Sequence, residues 1–196
     1  MPETTTTTAQ DTPPASADAV LDAAAAELTG LTMLEAANLA WDALHSLAIG
    51  DRDADRARCR AVILLALQLK SSRDWLLCQA AEHPDRALAC TRAVTCIAAA
   101  APRELQAMAA GAAAMMLAAC TDSPDTTAAY AQLGGDDTLA QIVTEVLAAQ
   151  LPAGAVRQVL LEARPVVLQQ LEELSQPPAD STAAVAPADH AVEEAV

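Results

Sequence analysis

The chain has 196 residues, 53% of them hydrophobic but only 2% aromatic, with no Phe and about a quarter Ala. Alanine has the highest helix propensity, whereas β-branched and aromatic residues favour strands, and this composition argues against an all-β domain and a parallel-sheet nucleotide fold. The three aromatic side chains Trp41, Trp75 and Tyr130 are too few for the stacking platforms of single-strand nucleic-acid binders. The formal net charge is −15, with no Lys or Arg before Arg52 and nine of the eleven basic residues between Arg52 and Arg103. An acidic field of this size opposes polyphosphate binding, so nucleic acid is not an expected partner.

Residues 1–16, with Thr4 to Thr8 and Pro13-Pro14, read as a disordered acidic tail, and so do residues 175–196, with Pro177-Pro178 and Pro187. Between them, residues 17–174 read as one all-α domain of nine or ten helices, a compact bundle or stacked hairpins. The first helix runs from Ser16 or Ala17 to Leu28 and ends at Gly30. Thr32 and Glu35 form a Thr-x-x-Glu capping box, in which the Glu carboxylate reaches back to the cap amide. The second helix then carries the stripe Leu34, Ala37, Trp41, Leu44 and Ala48 to its stop at Gly50. A third, from about Asp53 to Lys70, is apolar on all sides over Ala61 to Leu69, which predicts the central, most buried helix.

Ser71 or Ser72 is expected to cap a short helix to Glu82, and Pro84 and Pro102 to open the next two in their first turns. Small residues at Ala109, Gly111, Ala112 and Ala113 predict a close approach by a neighbouring helix, near the low end of the ~8 to 10 Å interaxial range. A weak helix to Leu133 follows. Then Asp136 or Asp137 caps Thr138 to Gln150, whose stripe is Leu139, Ile142, Val143, Val146 and Leu147. Pro152 to Ala163 and Val166 to Leu174 complete the order as two pieces broken at Pro165.

Few residues carry candidate chemistry. Arg52, Arg56, Arg58 and Arg60 alternate with Asp51, Asp53 and Asp55, which reads as a solvated helix start laced with ion pairs or, alternatively, as an anion patch. Met108, Met115 and Met116 either fill the core or line an adaptable groove. Cys90 and Cys96 are six apart and face different sides of one helix, so Cys78, Cys90 and Cys96 read as buried thiols and not as metal ligands. His83, just before Pro84, reads as a turn residue. Gly134-Gly135-Asp136-Asp137 reads as a turn followed by a helix cap. A helix-turn-helix reading of residues 138–163 offers only Arg157 and Arg164 for DNA. No catalytic group, metal or cofactor is implied.

Ala107 to Cys120 is too short a run to span a bilayer. The start Met1-Pro2-Glu3, followed by five threonines, lacks the charged and apolar regions of a secretory signal, and a reducing cytoplasm is the expected location.

Arg73-Asp74, Ala98 to Pro102, the Ala-rich stretch Ala109 to Ala119, Asp136 to Ala140 and Leu147 to Pro152 together form a pattern. Through it, residues 73–157 resemble the C-terminal helical half of the actinobacterial family called domain of unknown function 4192. Asp136 to Ala140 matches a Gly-Asp-Gly-x-x-Ala-like turn with Asp137 in place of the second glycine, and Leu147 to Pro152 matches Leu-x-x-Gly-x-Pro with Gln150 in place of the glycine. The family's N-terminal pattern is not found. The resemblance implies all-α structure and a cytoplasmic actinobacterial protein, and it brings no activity. The expected role is a protein-interaction or scaffold module, with homo-oligomerisation as one form of it because its Ala and Met stripes suit tight packing. The alternatives are a DNA-associated regulator using residues 52–60 or 138–163 and a helical ligand-binding protein.

Overall fold

A computed structural model describes residues 16–121 and 123–176. The expected tails over 1–16 and 175–196 lie outside the described residues except for Ser16, Ser175 and Gln176. The described residues form nine helices: α1 (Ala17–Thr29), α2 (Met33–Ile49), α3 (Arg56–Gln68), α4 (Lys70–Glu82), α5 (Pro84–Ala100), α6 (Arg103–Cys120), α7 (Pro124–Gly134), α8 (Thr138–Ala148) and α9 (Ala153–Leu174). The class is all-α, as composition and helix signals predicted.

Local chemistry sets most of the boundaries. The Ser16 hydroxyl accepts from the Ala19 amide, and both halves of the Thr32–Glu35 capping box are made. Gly50 ends α2 in the left-handed region at φ 70°. Asp55, two residues later than the expected start, caps α3 by accepting from the Ala57 and Arg58 amides. Pro84 opens α5, and Asp137 caps α8 through the Leu139 amide. Ser72 does not cap α4. Leu69 alone separates α3 from α4, so Ser72 falls inside the helix with its hydroxyl buried and unpartnered.

The central helix is α6 and not α3. Every residue from Ala109 to Ala119 is buried, and α6 packs against α3, α4, α5, α7, α8 and α9. The all-round apolar run of residues 61–69 points to α3 instead, but the middle of a crowded bundle selects for small side chains. A helix surrounded on all sides leaves room for little beyond a Cβ. Half of the buried apolar residues are alanines. On α2 the deepest face is likewise Ala36, Ala37, Ala40, Ala43 and Leu44, with Leu34, Trp41 and Ala48 half-buried at its margins.

The closest approach joins α6, α7 and α8, where the small residues predicted it. A Cβ added to Gly134 would lie 2.6 Å from the Ala140 Cβ, 3.2 Å from the Gly111 nitrogen and 3.3 Å from its Cα. One added to Gly111 would lie 2.9 Å from the Asp137 Cγ and 3.3 Å from the Ala140 nitrogen. Gly135, at φ 54°, then turns the chain into the Asp137 cap, which is the turn-and-cap role expected of this Gly-Gly-Asp-Asp run.

Pro165 does not divide the last segment. It lies inside the single helix α9, on an exposed position, and removes the amide that the Leu161 carbonyl would otherwise accept from. Packing on both sides of Pro165 holds the helix through it. Val156 and Leu160 join the main core, while Val167 and Leu171 join a second cluster with Ala37, Trp75 and Cys78. The Ser175 hydroxyl accepts from the Leu34 amide and donates to the Leu171 carbonyl, tying the end of α9 to the start of α2. Consecutive helices from α2 to α7 pack on one another, but α1 packs on α3, and α9 packs on α4 and α6.

Gln150 has φ 55°, a left-handed conformation that costs a non-glycine residue about 1 to 2 kcal/mol. It joins α8 to α9 through amide bonds from Gln150 to the Leu147 carbonyl and from Leu151 to the Val146 carbonyl. Gln150→Gly is expected to raise stability by about 0.5 to 1 kcal/mol, less than the strain because glycine also gives the unfolded chain more freedom. Urea unfolding would show the gain as a higher midpoint with an unchanged slope.

Candidate functional site

α8 packs on α6 and α7, and α9 packs on α4 and α6, so the two helices diverge over the molecule's surface. Between them lies an apolar groove of about 340 Å³. Leu77 and Cys78 of α4, Met115 of α6, Leu139 of α8 and Val156 of α9 form its floor. Ile142 and Val146 form one wall, Leu151 one end, and Ala155, Val159 and Ala163 the other wall. The carboxylate at its margin is Asp74, 3.6 Å from the Arg73 Nε. Large aliphatics are left in water along this face: Ile142 is 41% exposed, Leu151 50%, Val159 64% and Val166 57%. Val159 and Val166 stand two turns apart on α9 and form a ridge beside the groove.

The groove was only faintly legible in the sequence. The five-position stripe of α8 is wider than the core needs, since Leu139 and Val143 are buried while Val146 and Leu147 are half-buried and Ile142 is exposed. That surplus, together with Leu151 and Val159 just beyond it, was the available signal. The three candidate methionines do not come together. Met115 lies in the groove floor, Met116 is fully buried in the core and Met108 is half-buried against the core.

The arginines divide in the same way. Arg58 pairs with Glu27 of α1 through its Nε and a terminal nitrogen, and this bond holds the Glu27 carboxyl below its usual range. The side chains are each more than a third exposed, so the pair contributes at most about 1 kcal/mol. The expected lacing with Asp51, Asp53 and Asp55 is replaced by local backbone bonds, in which Asp55 caps α3 and the Asp51 carboxylate accepts from the Asp53 amide. Arg52 is exposed in the loop before α3. Arg56 and Arg60, one turn apart on α3, line a cleft of about 290 Å³ with Arg92 of α5. Leu47, Ala48, Ala93 and Ile97 line the rest of it with Ala89 and Cys96. Arg92 was not singled out by sequence, because nothing in its spacing links it to α3.

The two arginines of the helix-turn-helix reading point into the protein. The Arg157 Nε donates to the Ala81 carbonyl at 2.7 Å, at the C-terminal end of α4, where a cation is favoured. Arg164 lies 3.0 Å from Glu82 and stacks over the Trp75 ring at 5.3 Å. These contacts fasten α9 to α4 and leave Val159, Glu162 and Val166 on the outer face in place of base-reading groups.

His83 is the turn residue expected of it, closing α4 and preceding Pro84, and its ring stacks on Trp41 with centroids 5.9 Å apart. The His45 Nε2 lies 3.4 Å from Arg86. Cys90 is buried with Val94 and Ile97, while Cys96 is exposed on the opposite side of α5, a correction to the reading of all three thiols as buried. Burial pushes the Cys78, Cys90 and Cys120 thiols up to about 11, so these groups stay protonated and unreactive near neutrality.

Among the described residues no helix is long and apolar enough to cross a membrane. No family model, curated protein or solved structure matches the chain.

Proposed function

We propose that this chain is a cytoplasmic, non-enzymatic protein-interaction module that works as a homodimer through the α8–α9 face. The observation that supports the reading is the apolar groove flanked by exposed Ile142, Leu151, Val159 and Val166. Surfaces with contiguous apolar side chains in water are typical of docking sites. The face offers both a ridge, Val159 and Val166, and a groove beside it. A two-fold axis would place the ridge of one copy in the groove of the other, the self-complementary form that symmetric dimers take. Small residues on the groove wall, Ala155 and Ala163, let a partner helix come close.

The resemblance of residues 73–157 to the family called domain of unknown function 4192 is part of this proposal. One feature supports it. Gln150 occupies the glycine position of the Leu-x-x-Gly-x-Pro match and takes the left-handed conformation that glycine accepts without strain.

Light scattering on a sizing column tests the dimer. The full chain is expected to elute with twice its 20.2 kDa mass, and Val159→Glu to elute as a monomer with an unchanged helical spectrum. Val159 is exposed in the single chain, so the charge should not disturb folding. A wild-type monomer at the highest attainable concentration would overturn the dimer.

A further inference from the structure

We propose that the cleft between α3 and α5 binds a small organic anion, with its carboxylate or phosphate head held by Arg56, Arg60 and Arg92 and a short apolar part laid against Leu47, Ala93 and Ile97. This site lies on different elements from the α8–α9 face and does not depend on it.

The argument begins with charge. The chain carries 26 acidic residues against 11 basic ones, yet six of the ten arginines, Arg52, Arg56, Arg60, Arg92, Arg103 and Arg157, have no carboxylate partner among the described residues, and three of these six share one cleft. Among the described residues, Arg58, Arg73, Arg86 and Arg164 have one. Arg56, Arg60 and Arg92 line one cleft, and none of them forms an ion pair with another described residue. No Asp or Glu lines the cleft. Of the acids nearest in sequence, Asp51 and Asp55 are engaged with backbone amides. Neither Asp53 nor Asp18, the latter beside Arg60 in a neighbouring pocket, forms an ion pair with the three arginines.

This arrangement costs stability. Arg56 and Arg60 are four apart on one helix, where like charges repel, and Arg92 brings a third positive charge to the same cleft. Helix capping does not account for it. The Ser46 and Leu47 carbonyls at the end of α2 already accept from the amides of Asp51 and Gly50. A guanidinium is planar and presents paired donors matched to carboxylate or phosphate oxygens, and three around one cleft suit a single anionic head. The remaining wall is aliphatic. Both α3 and α5 pack on α2, whose last turn supplies Leu47 and Ala48 to that wall. A purely inorganic anion would leave this apolar surface unused.

Calorimetric titration of the full chain at low salt tests the site, with octanoate as the complete probe, inorganic phosphate as the head alone and octanol as the apolar part alone. Octanoate is expected to bind saturably, phosphate more weakly and octanol weakest. Arg60→Gln and Arg92→Gln should each weaken octanoate by about tenfold or more, the loss of one charge-assisted contact. Both positions are exposed, and ligand-free variants should melt no lower than wild type, because removing one arginine relieves repulsion. Octanoate affinity unchanged in the Arg56→Gln/Arg60→Gln/Arg92→Gln triple variant would overturn the site, as would the absence of saturable binding. Tighter binding of a duplex oligonucleotide than of octanoate, lost in the same triple variant, would overturn the small-anion assignment in favour of a polyphosphate. Val159→Glu should leave octanoate binding intact, so failure of the dimer and failure of this site can be told apart.

Discussion

Gly134→Ala is expected to destabilise the protein by about 2 to 3 kcal/mol, lowering Tm by roughly 5 to 10 °C. The added Cβ would meet the Ala140 Cβ at 2.6 Å and the Gly111 backbone at 3.2 and 3.3 Å. None of these atoms is the end of a flexible side chain, so the overlap is relieved only by separating α7 from α6 and α8. Gly111→Ala should cost less, about 1 kcal/mol, because an interior helical alanine recovers up to ~1 kcal/mol and the atom met most closely belongs to the Asp137 carboxylate. That carboxylate can swing aside, although it then gives up the α8 cap, typically worth about 1 kcal/mol. Ala140→Gly in the Gly134→Ala background provides the control. It removes the 2.6 Å overlap and should restore part of the lost stability, although glycine inside α8 lowers stability in the wild type. A fully additive double mutant would show that the three helices are not in the contact described.

Element boundaries were legible in the sequence because capping is a short-range matter. Ser16, Thr32 with Glu35, Gly50, Pro84 and Asp137 act within one turn of their own position, and each does what its residue type suggests. The errors arise where distant packing overrides a local signal. Pro165 carries a strong breaking signal, yet Val156 and Leu160 on one side and Val167 and Leu171 on the other hold α9 continuous. Ser72 is a good cap residue by type, but α4 begins two residues before it.

The hub was hidden for a different reason. An alanine helix such as α6 has a weak apolar stripe, and its importance comes from how many neighbours it can admit. The all-round apolar run of residues 61–69 points to α3, whose Ile63 and Leu67 are indeed fully buried although the helix lies to one side of the hub. The groove and the arginine cleft escaped for lack of spacing signals. Each joins residues from helices far apart in the chain, Met115 with Val159 in the first and Arg60 with Arg92 in the second.

Met116→Ala is expected to cost about 3 to 5 kcal/mol, the upper part of the range for a truncated core aliphatic. Met116 is fully buried on α6, and the nearest residues on its own helix face are Ala112, Ala113, Ala119 and Cys120, three of them alanines. A cavity lowers its cost when neighbours can rotate into it. Alanine has no side-chain rotamer to change, and helices already held at close approach cannot move inward without disturbing their other contacts, so the void stays open. Met115→Ala should cost less, since Met115 lies in the floor of an open groove. Met116→Leu keeps most of the volume and should cost under about 1.5 kcal/mol. Urea unfolding of the three variants would order them, provided the slopes agree with wild type. A loss below about 1.5 kcal/mol for Met116→Ala would mean that the surrounding helices relax into the space, and that an alanine-lined core is more compliant than its packing implies.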